Sequence, residues 1–149
     1  MKILFLPFTC MPSGHHQVAD ALTDYIEKRT NITCKKVNIL SSINQTLEQA
    51  GIRVYLKWID SAPKSYGWIY EQFGYSSHRK NRPASIWGNA WLLKKMEQIL
   101  NRENPDLIIC THGFSSYLMS CLKEQLRCQI PVINVYTDFF INNFWGQYG

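Results

Sequence analysis

The sequence predicts an α/β fold: a parallel, Rossmann-like sheet with helices on both faces. Short continuous apolar runs lie at Lys2 to Phe8, Asp106 to Cys110 and Pro131 to Tyr136. A run without polar alternation marks a strand covered on both sides, as in a parallel sheet. Segments with apolar residues at helical spacing separate these runs, and strands alternating with helices imply parallel pairing through right-handed crossovers. At 149 residues the chain fits the roughly 100–200 residues of one domain, and 46% hydrophobic against 18% charged residues supplies a sizeable core.

In order, the first strand ends in a polar, small-residue loop, Thr9 to His15. A helix follows from His15 to Lys28, with Val18, Leu22, Tyr25 and Ile26 on one stripe, Ser13 as N-cap, and Lys28 and Arg29 closing the last turn. Thr33 to Ile39 reads as a second strand. Ile43 to Phe73 reads as one or two helices interrupted near Pro63. The polar loop 76–83 leads to a helix capped by Ser85, with Trp91, Leu92, Met96, Ile99 and Leu100 as its stripe and Asn104-Pro105 at its end. Asp106 to Cys110 is a buried strand, Ser115 to Leu126 a helix and Pro131 to Tyr136 another buried strand.

Composition excludes several classes. No apolar run approaches the ~20 residues of a membrane span, and the first seven residues are too short for a signal peptide, so a cytoplasmic protein is expected. Five cysteines without a C-x-x-C pair suggest neither a disulfide framework nor a zinc knuckle. No pair among His15, His16, His78 and His112 has a recognised zinc spacing, so no metal is expected. A net charge of +5 favours a polyanionic neighbour. The aromatic and basic middle, with Trp68, Arg79, Lys80 and Arg82, suits an anionic membrane surface, or alternatively a core helix pair beside a solvated loop. No nucleic-acid motif accompanies it.

Ligands of open α/β sheets bind beyond the carboxyl ends of the strands. Thr9 to His15, Thr111 to Gly113 and Thr137 to Phe139 meet there. The first loop lacks both the dinucleotide fingerprint and the P-loop pattern. It offers instead Gly14, where a backbone can be approached closely, and His15 at the positive end of a helix, where a neutral imidazole can take a proton from a hydroxyl. A structural histidine is the alternative. Asp138 can bind a ligand or cap a turn. The pair His112-Gly113 also suggests a hydrolase oxyanion turn, but no G-x-S-x-G occurs.

Together, Gly14-His15 after the first strand, Pro105 to Ile109 followed by Thr111-His112-Gly113, and Val135-Tyr136-Thr137-Asp138-Phe139 with Trp145 beyond it resemble the diacylglycerol glycosyltransferase, or monogalactosyldiacylglycerol synthase, family in its amino-terminal domain. The chain departs from the family pattern at Met11-Pro12-Ser13, where more glycine is usual, and at Asn142, where a histidine is frequent. The resemblance implies the amino-terminal half of a glycosyltransferase B fold: residues 1–149 as one acceptor-side domain, with the donor domain absent. It implies His15 as general base, Gly14, His112 and Asp138 as acceptor-binding residues, and transfer with inversion from a UDP-sugar to diacylglycerol or a similar lipid. No cofactor is expected in this domain, and turnover is expected to be negligible without the donor domain or a partner subunit. The implied location is peripheral, on the inner face of the cell membrane. A lipid- or membrane-binding domain without catalysis, one subunit of a split enzyme and a flavodoxin-like binding domain are the alternatives. Phe139, Phe140, Phe144 and Trp145 are candidates for a face that meets a partner domain.

Overall fold

The structure, a computed structural model, describes residues 1–8, 10–65, 68, 86–138 and 145. Its elements are β1 (Lys2–Leu6), α1 (Gly14–Arg29), β2 (Thr33–Lys36), α2 (Ile39–Ile43), α3 (Gln45–Ser61), α4 (Ile86–Glu103), β3 (Leu107–Cys110), α5 (Gly113–Glu124) and β4 (Val132–Asn134). The strands form one parallel sheet in the order β2-β1-β3-β4, as expected from the uninterrupted apolar runs. The loop 76–83, with Arg79, Lys80 and Arg82, lies outside the described residues, as do Ser85, Phe139, Phe140, Asn142 and Phe144.

The register Leu4↔Ile108 and Leu6↔Cys110 places these four residues on one face, and Ile3↔Leu107 with Phe5↔Ile109 occupies the other. On the first face they pack with Met96, Ile99 and Leu100 of α4 and Leu118 and Leu122 of α5. On the second, Ile3, Phe5 and Ile109 pack with Ala19, Leu22 and Ile26 of α1. Full burial of each large apolar side chain stabilises the fold by about 1.5–3 kcal/mol, so β1 and β3, covered on both faces, form the centre of the molecule.

Several boundaries differ from the sequence expectation. β2 ends at Lys36 rather than Ile39. Val37 N–H still donates to the Phe5 carbonyl, after which Ile39 begins α2 and Leu40 N–H donates to the Phe8 carbonyl. Val37 and Ile39 are buried, so their apolar character reports core contact and not strand. On α1, Ala19 and His16 are the buried residues, whereas Tyr25 is exposed beneath the Arg29 guanidinium. Ser13 precedes α1, but its carbonyl, not its hydroxyl, accepts the first amides.

α5 begins at Gly113, two residues earlier than expected, because the His112 side chain caps it. It ends at Glu124 in a Schellman turn: Leu126 N–H donates to Lys123 O, Arg127 N–H donates to Leu122 O, and Leu126 takes φ 56°. The expected strand from Pro131 to Tyr136 shrinks to three residues and is not buried. It is the sheet edge, with Ile133 and Tyr136 each 48% exposed.

At the opposite end of the sheet from the strand-end loops, Glu103 closes α4 as a buried carboxylate. It meets Lys2 at 3.1 Å, Lys35 at 2.7 Å and Arg102 at 3.0 Å. These partners, led by the Lys35 hydrogen bond, hold its pKa down to about 2 against the opposing effect of burial.

Candidate acceptor site

The carboxyl ends of β1 and β3 bring their loops together with the segment after β4. Phe8, just beyond β1, has φ 81°, a strained conformation for a bulky residue that persists only where its surroundings enforce it. Its ring stacks on His112 at 5.1 Å and meets Phe114 edge-on at 4.8 Å.

His15 is the second residue of α1. Its Nδ1 lies 2.9 Å from the Thr111 carbonyl oxygen and also touches Thr137 Oγ1. A carbonyl only accepts, so Nδ1 carries the proton. Thr137 donates its own hydroxyl hydrogen to the same carbonyl at 2.8 Å, leaving its oxygen to accept from His15. In the neutral ring the unprotonated nitrogen is therefore Nε2, which faces Asp138 Oδ1 at 3.7 Å. Asp138 Oδ2 accepts from Trp145 Nε1 at 3.0 Å. Asp138 thus stands beside the His15 ring, where its carboxylate can stabilise an imidazolium, and among the described residues its side-chain partner is the Trp145 indole.

The His112 ring meets His15 edge-on at 4.6 Å. Its Nδ1 accepts the Phe114 N–H at 3.0 Å, so the proton of the neutral ring sits on Nε2. Burial, and secondarily the neighbouring His15, lower its pKa to about 4 while Asp138 opposes the shift. His16 is buried, with Nε2 3.1 Å from Asn38 Oδ1 and Nδ1 3.4 Å from Ser13 Oγ.

Both His15 and His112 line an open cavity of about 600 Å³, within the size range of small-molecule sites. Its other walls are Phe8, Met11, Ser13, Leu40, Asn44, Glu48, Gly51, Ile52, Tyr55 and Trp91. Glu48 is buried and accepts from the Cys10 amide at 2.6 Å and from the Ser41 hydroxyl, which fixes α3 against the first loop. Trp91, expected in the core stripe, is 48% exposed and faces the cavity instead. Leu93 takes the core position.

Of the predicted site residues, the structure brings His15, His112 and Asp138 together. Gly14 opens α1 with free space where a Cβ would stand, so no protein atom demands glycine there. Trp68 is exposed and stands outside the cavity wall. Trp145, expected on an exposed partner face, is 4% exposed: its indole lies over Gly113, where an added Cβ would come within 3.3 Å of Nε1, and packs on Tyr136. Sequence reasoning did not single out Thr137 as the partner of His15, nor Phe8, Glu48, Tyr55 and Trp91. Only their place at strand ends or on an aromatic-rich helix signalled them.

The profile of the family described as monogalactosyldiacylglycerol (MGDG) synthase matches residues 15–149. The uncharacterized glycosyltransferase YkoN of Bacillus subtilis (strain 168) is 37% identical over 147 residues, which are 98% of this chain and 38% of that protein. The processive diacylglycerol beta-glucosyltransferase of Staphylococcus epidermidis (strain ATCC 12228 / FDA PCI 1200) is 28% identical over 137 residues, 89% of this chain and 32% of its own. The protein of that same description from Staphylococcus aureus (strain Newman) is 34% identical over 89 residues, 60% of this chain and 22% of its own. The chain therefore spans less than two fifths of the length of these curated relatives. No solved structure matches it. With the profile aligned from the base candidate His15 through the Thr137-Asp138 turn and beyond, the chain belongs to the monogalactosyldiacylglycerol (MGDG) synthase family of glycosyltransferases.

Proposed function

We propose that this chain is the acceptor-binding half of a glycosyltransferase B enzyme that moves a sugar from a UDP-sugar to diacylglycerol, with inversion. The observation that carries the proposal is the poise of His15 at the wall of a largely apolar cavity: Nδ1 is tied to Thr111 and Thr137, and Nε2 of the neutral ring is left to accept a proton beside Asp138. The names of the Staphylococcus relatives support diacylglycerol as acceptor.

In this mechanism the glyceride hydroxyl gives its proton to His15 Nε2 as its oxygen attacks the anomeric carbon. The new C–O bond forms as the bond to the diphosphate breaks, and the leaving group departs with the electron pair. Asp138 balances the charge on the imidazolium. Gly14 leaves room for the acceptor to approach the start of α1. The donor half, in the same protein or a partner subunit, holds the nucleotide sugar, and this domain binds no cofactor of its own.

The protein acts as a peripheral one, on the inner membrane face. Among the described residues no helix is long and apolar enough to cross a membrane. Val54, Leu56 and Trp68 expose apolar surface, and the net charge of +5 suits anionic lipid. Arg79, Lys80 and Arg82 are proposed to add phosphate contacts.

Cosedimentation with phosphatidylglycerol vesicles, with and without diacylglycerol, tests the proposal. Binding that increases with diacylglycerol content is expected; binding indifferent to diacylglycerol, or none, refutes the acceptor assignment.

A further inference from the structure

The two cavity histidines present opposite faces to a ligand. His15 has Nδ1 committed as a donor to Thr111 and Thr137, so its remaining nitrogen accepts. His112 has Nδ1 committed as an acceptor from the Phe114 amide, so its remaining nitrogen donates. The rings touch edge to face at 4.6 Å, and both line the same cavity. A hydrogen-bond acceptor and a donor this close, in mainly apolar walls, match a ligand that carries a hydroxyl beside an acceptor oxygen.

We infer that His112 is a specificity-determining residue: its Nε2–H donates to the ester oxygen next to the hydroxyl that His15 Nε2 receives, so the site selects a glyceride over a plain alcohol of equal size. The inference rests on the acceptor-site reading above and deepens it. Donation to the neighbouring ester oxygen, and not to the hydroxyl oxygen itself, leaves the nucleophile's lone pairs free for attack.

The fixing groups are specific. Thr137 is the positioning residue for His15: with its hydroxyl removed, the Thr111 carbonyl alone orients Nδ1–H. The Phe114 amide sets the tautomer of His112 through the helix cap. Nothing in this pairing requires charge on the ligand, and the charged or titratable neighbours of the two rings are Asp138 and His16.

The test uses the full chain labelled with ¹⁵N-histidine. Nitrogen chemical shifts at pH 7 are expected to show Nδ1–H for His15 and Nε2–H for His112, with Thr137→Ser preserving and Thr137→Val loosening the first. The binding arm compares 1,2-dioctanoylglycerol with a branched primary alcohol of the same size that has methylenes in place of both ester groups. Wild-type chain is expected to bind the glyceride roughly 5- to 10-fold more tightly, the margin of one net hydrogen bond. His112→Asn, which keeps a good helix cap, should abolish that margin, read as the ratio of glyceride to alcohol affinity within the variant. The same tautomer in both rings, or a margin unaffected by His112→Asn, overturns the inference alone. Failure of both ligands to bind, with opposed tautomers present, overturns the acceptor-site reading and the inference with it.

Discussion

At the scale of single residues, His112 makes stability depend on pH. Its pKa falls from about 6.5 to about 4 on folding, so between those values the unfolded chain binds more protons than the folded one. Stability is complete above pH 6.5 and is lost as pH falls towards 4, by on the order of 3 kcal/mol at most. Urea midpoints at pH 7 and pH 5 check this, and His112→Asn should flatten the difference. Gly113 is the second case. A methyl group there comes within 3.3 Å of Trp145 Nε1 and 3.4 Å of Cε2, so the indole must shift, and with it the hydrogen bond that holds Asp138. Gly113→Ala is expected to cost about 1 kcal/mol and to move the indole N–H resonance of Trp145. Such couplings are illegible in the sequence. His15 can be singled out by its place after the first strand and at a helix start, where an imidazole serves either as a proton acceptor or as a structural group. Its dependence on Thr137 requires the two loops to be seen together.

At the scale of elements, the ends of α4 and α5 offer opposite expectations. Glu103 ties the end of α4 to β1 and β2 through Lys2 and Lys35. Its pKa is lowered on folding, so its contribution is present above pH 4.5 and lost as pH falls towards about 2. Glu103→Gln leaves three cations with a neutral partner and is expected to lower stability by about 2–3 kcal/mol at pH 7, read by urea unfolding. Leu126, at the end of α5, is 79% exposed and left-handed. A branched residue there costs roughly 1–2 kcal/mol that glycine avoids, so Leu126→Gly is expected to raise the urea midpoint by the equivalent of about 1 kcal/mol. The same residue explains a boundary error: as a leucine it extends the apparent helix to 126, whereas it forms the stop. β1 and β3 are legible because strands covered on both faces read as short continuous apolar runs. β4 is equally apolar in sequence yet lies at the edge, and strand order is not written in any one segment.

At the scale of the molecule, an apolar cavity with two histidines at its wall and exposed apolar side chains on α3 are in keeping with the proposed lipid acceptor. Val54 is 69% exposed and Leu56 51%. Replacing both with glutamate removes exposed apolar area and adds charge opposed to anionic lipid, so, on the proposed membrane contact, vesicle binding is expected to fall roughly tenfold or more with an unchanged urea midpoint. Fold class and the three strand-end segments are readable from the sequence at this scale. The cavity is not, since its walls come from β1's loop, α2, α3 and α4, which converge only through packing.

The bonds of His15 to Thr111 and Thr137 span 96 and 122 residues, and the central strand pair joins Leu4 to Ile108. Such separations place the chain among slow folders, because loop-closure entropy is spent before distant contacts form. During synthesis β1 emerges long before its neighbour β3, and until then its apolar faces require shielding by α1 or a chaperone. The geometry of the candidate site is consequently a late event of folding: an intermediate with β1, α1 and β2 in place already contains His15, but its imidazole has neither a fixed proton nor a counter-charge.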